Sequence, residues 1–203
     1  MNADPAAHGA KLGAGRLEAL VEGVFAIAMT ILVLDIKLPE GVSLSSDKLL
    51  AALAGQLDLF LNYIMSFWLL AMFWVIHNKH FRYLTHTKPG HIWLNMGLLA
   101  FVVLVPFSSS LFDVDQDGRV ASAVFALNLF LAGAFLYLAW AYACRNDLVR
   151  PDMDAQARKR VARMTALLPL VCLGVMGLAF VVPGWCNLGY LAIPALRGVV
   201  EGR

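Results

Sequence analysis

Residues 17 to 36, LEALVEGVFAIAMTILVLDI, decide how this chain is read. At 1.5 Å of rise per residue this helical stretch covers about 30 Å, the hydrocarbon thickness of a bilayer. At 100° per residue, Leu20, Gly23, Ile27, Thr30, Ile31 and Leu34 fall within one arc of roughly 100°, while Glu22 and Phe25 point elsewhere. Such a face, apolar apart from one hydroxyl, offers no acid, base or nucleophile at its centre. It points to an ion pore rather than to an enzyme.

Composition supports a membrane setting. Hydrophobic residues make up 60% of the chain and charged residues 15%, against about 45–50% and about 25% in soluble domains, and mean hydropathy is +0.71. That is more apolar surface than a soluble core of this length can use. The net charge of +2 gives no bulk attraction for nucleic acid. Cys144, Cys172 and Cys186 lie in or beside apolar spans without CxxC spacing, which reads as buried free thiols.

Working outward from the first span, apolar runs of about 20 residues alternate with short charged loops. Six are expected, at about 17–37, 57–79, 91–112, 120–144, 163–182 and 185–199; the last is short and carries Pro194. Span one ends where Pro39 prevents simple continuation. An amphipathic lead-in from Ser46 to Gly55 precedes span two. The Ala- and Gly-rich residues 1–15 read as a disordered cytoplasmic segment and not as a signal peptide, because the apolar run behind them is too long. Residues 16–199 then form one six-helix domain with a tail at 200–203.

Loop charge orients the spans. Lys11, Arg16, Lys79, Arg82, Lys88, Arg145, Arg150, Arg158, Lys159, Arg160, Arg163, Arg197 and Arg203 would share one side, 13 of the 16 basic residues. Lys37, Lys48 and Arg119 lie opposite, among Asp35, Glu40, Asp47, Asp113, Asp115 and Asp117. By the positive-inside rule both termini face the cytoplasm of a multi-pass cell-membrane protein, and an odd number of spans would spoil the asymmetry.

A family resemblance rests on these residues. The run Arg16-Leu17-Glu18-Ala19, followed by Gly23-Val24-Phe25-Ala26-Ile27-Ala28-Met29-Thr30-Ile31-Leu32-Val33-Leu34-Asp35-Ile36, resembles the first helix of prokaryotic relatives of transmembrane protein 175, the lysosomal potassium channel. Phe73-Trp74 with His77 and Phe81, and Trp93-Leu94-Asn95 with Val105-Pro106-Phe107, are similar to that family in order and spacing. The resemblance implies an all-α homotetramer in the lipid bilayer, with the first helix of each six-helix subunit around a central pore. Potassium is the permeant ion and no cofactor is implied. Like the family, the chain lacks a TVGYG carbonyl filter; Leu188-Gly189-Tyr190 is a chance fragment. By position the resemblance assigns Ile27 as main constriction, Ile31 and Leu34 as further apolar rings, and Thr30 as a hydroxyl layer giving modest potassium selectivity.

One departure concerns the start of that helix. The family carries Phe-Ser-Asp before Gly-Val-Phe-Ala, whereas this chain has Leu20, Val21 and Glu22. In the family the motif ties the first helix to its neighbours. A carboxylate within a span costs about 2.5–3.5 kcal/mol on insertion scales, so Glu22 is expected to find a partner, with His77 or Arg16 the candidates of a first-helix network.

Other polar residues have structural readings. His77, His80, His86 and His91 cluster around one loop, but no Cys, Asp or Glu nearby completes a metal-ligand set, so helix-boundary hydrogen bonds are expected instead. Asn95 and Asn128 inside spans should join helices. Pro106 should free a carbonyl and kink span three, where Ser108, Ser109 and Ser110 can satisfy backbone groups. A secondary transporter would show charge at the midplane, which the spans lack. A non-conducting assembly subunit is the alternative that flux through purified protein separates from a channel.

Overall fold

A computed structural model describes residues 5–37, 46–115, 117–182 and 186–201. The named elements among the described residues are all helices: α1 Pro5–Ile31, α2 Ser46–Ala54, α3 Leu57–Tyr83, α4 Pro89–Val103, α5 Val105–Ser110, α6 Arg119–Arg145, α7 Ala155–Ala179 and α8 Ala192–Glu201. Short 3-10 turns follow at Leu32–Asp35, Leu111–Asp113 and Cys186–Leu191.

Local chemistry sets the helix ends. Pro89 opens α4 at the position where its missing N–H costs nothing. Gly118 caps α6 in the left-handed region at φ 64°, and the Asp115 carboxylate accepts the Ala121 N–H at 2.7 Å. At α7 the Asp154 side chain accepts the N–H of Ala157, which starts this helix at Ala155, two turns before the expected Arg163. The amphipathic lead-in is α2.

Three further differences from the sequence reading have physical causes. Helix α1 begins at Pro5, so residues 5–15 are helical rather than disordered: alanine has the highest helix propensity, and proline suits a first helical position. The kink expected at Pro106 is a full break between α4 and α5 at Leu104. There the freed Val102 carbonyl accepts the Leu104 N–H, while Ser108 and Ser110 donate to the carbonyls of Val105 and Phe107. The segment expected as a sixth span, 185–199, is over its described residues a 3-10 turn running into α8. Five described helical segments are long and apolar enough to cross a membrane, and Cys186–Leu196 forms a shorter apolar one. Residues 1–4 and 202–203 lie outside the described residues, as do the side chains of Arg197 and Arg203.

Packing divides the bundle. Helix α1 lies on α3, α4 and α5; α6 joins α4 to α7; and α7 carries the Cys186–Leu191 turn and α8. The α6/α7 pair is the most extensive contact, and a glycine sets its closeness. A Cβ on Gly133 would sit 3.0 Å from Pro169 Cδ and 3.1 Å from its N, so the ring of Pro169 lies against the α6 backbone. The main core runs through the bundle, with Phe25, Leu69, Phe73, Leu98, Phe125, Leu129 and Tyr190 all buried, and a smaller cluster surrounds Trp140, Leu148 and Val161.

The loops sort by side. Leu84 bridges Val149, Thr85 N–H donates to Leu148 O and Arg150 N–H to Tyr83 O, both at 2.9 Å, so the two basic loops meet at one end. At the opposite end Gln56 donates to the Lys37 carbonyl at 2.6 Å. This is the alternation that loop charge requires.

Candidate functional site

Helix α1 has two unlike faces. Leu17, Val21, Phe25, Ala28 and Leu32 recur at helical spacing and are buried against α3 to α5. Leu20, Gly23, Ile27, Thr30, Ile31 and Leu34 are exposed. The contrast is large at mid-helix: Phe25 is 0% exposed, Ile27 60% and Leu34 64%. Beyond Ile31 the helix tightens into 3-10 geometry over Leu32–Asp35, which turns about 120° per residue and keeps Leu34 on the side of Ile31.

Thr30 is held by its own helix. Its hydroxyl donates to the Ile27 carbonyl at 2.8 Å. A hydroxyl has one proton and two lone pairs. With the proton committed to the backbone, the oxygen is left as an acceptor on the exposed face, the polarity a cation needs.

Behind α1 lies a buried polar network. His77 Nε2 is 2.9 Å from Asn95 Oδ1, and Asn95 Nδ2 donates to the His91 carbonyl at 2.7 Å. Because a carbonyl only accepts, that bond fixes the amide orientation, and His77 must donate from Nε2. The imidazole stacks on Phe81 at 4.5 Å between centroids and meets Phe25 of α1 at 6.3 Å. His77 and Asn95 thus hold α3 to α4, with α1 resting on the same ring.

The expected first-helix network of Arg16, Glu22 and His77 does not form. Glu22 is exposed, and its carboxylate accepts from Asn78 Nδ2 at 3.5 Å. Arg16 is exposed, and the ion pair among the described residues is Arg150–Asp152. The reason is angular: Glu22 lies outside the sector that α1 buries, while His77 is 2% exposed beneath it. Val21, where the family carries serine, is fully buried, so apolar packing takes the place of the hydroxyl.

His77 and His91 share Asn95, and the other two histidines bond elsewhere. His80 is 2.9 Å from Thr165 Oγ1 and stacks on Trp140 at 4.7 Å, while His86 Nδ1 is 2.9 Å from Thr85 Oγ1. Among the described residues no three His, Cys, Asp or Glu side chains gather as metal ligands. As expected, Asn128 joins helices, its Nδ2 donating to Ser108 Oγ at 3.2 Å.

Sequence reasoning missed the His80–Thr165 link from α3 to α7. It also missed a cluster in which Asn62 donates to Ser109 and the hydroxyls of Ser66 and Ser109 lie 3.0 Å apart. The i, i+4 spacing of Asn62 and Ser66 within an apolar span was a usable signal for one polar face.

Comparison with known proteins decides the family. The profile described as endosomal/lysosomal potassium channel TMEM175 matches residues 16–106. A potassium channel of Streptomyces collinus is 34% identical over 172 residues, covering 82% of each chain. The chain belongs to the TMEM175 family. A second TMEM175 relative, a potassium channel of Chamaesiphon minutus, is 30% identical over 187 residues, covering 90% of this chain and 91% of its own. The crystal structure of a lysosomal potassium-selective channel TMEM175 homolog from the same organism superposes with a TM-score of 0.75 at 25% identity, over 93% and 96% of the two chains. TMEM175 proteins are channels, not an enzyme class, and this chain is a multi-pass membrane protein of that kind.

Proposed function

We propose that the chain is a potassium channel in which four copies bring the exposed face of α1 around a central pore. One observation carries this reading: a span-length helix leaves Ile27, Ile31 and Leu34 exposed on one side, with Thr30 on that side presenting an acceptor oxygen. One subunit leaves that face without a partner, and four copies cover it. The naming of its relatives as potassium channels supports the ion. The short apolar segment Cys186–Leu196 makes the sixth crossing, which brings both termini to the side of the basic loops, the cytoplasm of a cell-membrane protein.

In this arrangement a ring of Ile27 side chains is the constriction. A narrow apolar ring does not hold water, so it closes by dewetting. Ile31 and Leu34 continue the apolar lining. Thr30, one turn past Ile27, supplies oxygens that replace water lost at the constriction. Potassium sheds water at less cost than sodium, so these contacts give a modest preference.

The test is potassium flux into liposomes holding purified protein. Ile27→Asn should raise basal flux severalfold in a folded tetramer. Unchanged flux would remove this face from the pathway, and absent flux in every variant would favour a non-conducting assembly subunit. Native mass measurement in mild detergent checks the tetramer, and a monomer refutes it. An external C-terminal tag refutes the orientation.

A further inference from the structure

The cations at and around the loop between α6 and α7 fall into two groups. Arg150 is paired with Asp152 at 2.6 Å, Arg158 donates to the carbonyls of Met153 and Arg150, and Lys88 donates to the Asn146 carbonyl. These side chains build the loop. Lys159, Arg160 and Arg163 do not: all three are exposed, and among the described residues none lies within ion-pair distance of a carboxylate.

The helix places Lys159 and Arg163 above an apolar strip, with Arg160 about a quarter-turn to one side, within reach of its long side chain. From Lys159, spacing of three and four residues leads through Arg163, Ala166 and Leu170 to Leu173 and Gly177, all on the side of α7 opposite the buried Val161, Leu168, Cys172 and Val175. Leu170 is 62% exposed and lies about 10 Å along the axis from Arg163. Below it, a Cβ on Gly174 or Gly177 would meet nothing within 4 Å, so the strip continues as open space along the helix. Helix α7 packs on α6, the Cys186–Leu191 turn and α8, whereas α1 packs on α3, α4 and α5, so this face lies away from the first helix.

We propose that this face of α7 is a binding site for an anionic phospholipid, with Lys159, Arg160 and Arg163 on its phosphate and an acyl chain along Leu170, Leu173 and Gly177. Two features select that occupant. Unpaired cations at the end of a membrane-crossing helix complement an anionic headgroup, arginine matching phosphate oxygens with two donors at once. The apolar strip continues from the cations into the bilayer, which a soluble phosphate would leave uncovered. The site does not depend on the channel reading.

The experiment titrates the full-length protein in mild detergent with phosphatidylglycerol and, separately, phosphatidylcholine, counting bound lipid by native mass spectrometry. The wild type should bind phosphatidylglycerol at least tenfold more tightly. Replacing Lys159, Arg160 and Arg163 by Gln should weaken phosphatidylglycerol about a hundredfold, at about fivefold per cation, and leave phosphatidylcholine unchanged. The charge-keeping set Lys159→Arg, Arg160→Lys and Arg163→Lys should retain binding within a few-fold. Arg119→Gln, at the other end of the bundle, should have no effect. If the triple variant fails to fold, Arg163→Gln alone decides, with about a fivefold loss expected. Equal phosphatidylglycerol affinity in the neutralised and wild-type proteins overturns the proposal. So does an equal loss in Arg119→Gln, and so does competition by glycerol 3-phosphate as strong as by the lipid, which would leave the apolar strip without a part.

Discussion

Replacing Asn95 by Leu removes one amide that serves two buried groups. His77 and Asn95 are 2% and 1% exposed, so the His77 Nε2–H cannot turn to water when the amide goes, whereas the His91 carbonyl keeps the backbone N–H of residue 95 within α4. A buried donor or acceptor left unpaired costs about 1–3 kcal/mol. Polar pairs within membrane bundles are worth less, about 0.6 kcal/mol on average and up to about 1.7, because the unfolded chain also finds partners there. The Asn95→Leu variant should therefore lose about 1–2 kcal/mol, almost all of it through the stranded His77 donor. His77→Leu strands only the amide oxygen and also forfeits the ring contact with Phe81, for about 1–3 kcal/mol. Since both variants break the same 2.9 Å bond, the double variant should cost about 1 kcal/mol less than their sum. Unfolding of detergent-solubilised protein by dodecyl sulfate, followed by tryptophan fluorescence, measures all four forms. Additivity within about 0.3 kcal/mol would refute the assigned bond and, with it, the Nε2-donor form of His77.

If the proposed pore is right, Thr30→Val, which keeps shape and removes the acceptor oxygen, should reduce a potassium over sodium preference without changing the oligomer; identical reversal potentials under a potassium/sodium gradient would end the hydroxyl-layer role. Gly133→Val should destabilise by about 1–3 kcal/mol, because the added side chain meets the rigid ring and backbone of Pro169, and an unchanged unfolding midpoint would mean that α6 and α7 are not this close. Two hydrogen bonds from Arg150 hold the Asp152 carboxyl below its usual pKa of 3.8. Its contribution is therefore present above the unfolded pKa and lost as pH falls through the lower folded value. Carbon-detected titration should show Asp152 returning to the ordinary carboxylate range in Arg150→Gln, and no change on substitution would refute the pairing.

Membrane class, the positions of five spans and the alternation of basic and acidic loops were all legible in the sequence, because each depends on a property summed over many residues. Insertion free energy adds along about 20 side chains, and loop charge is a sum over a segment, so neither needs a partner to be known. The two faces of α1 were legible for the same reason: 3.6 residues per turn is a local constant, and it separates Ile27 and Thr30 from Phe25 whatever packs nearby. Pairwise chemistry is different. His77, His80 and His91 lie close in sequence, yet one bonds an amide on α4, one a threonine on α7, and the third supplies a carbonyl to Asn95. The expected pairing of Glu22 with His77 failed because a few tens of degrees about the α1 axis decide whether a carboxylate faces the core or the outside. Where a helix stops is likewise legible only when its capping groups are local, as Asp154 is for α7; the fate of the Val102 carbonyl at the Leu104 break was not written in the Pro106 signal alone. What tertiary structure alone decided is which polar side chains meet, since a hydrogen bond is made or lost within a few tenths of an ångström, and residues 85 positions apart, as His80 and Thr165 are, come within that range only when the whole bundle is packed.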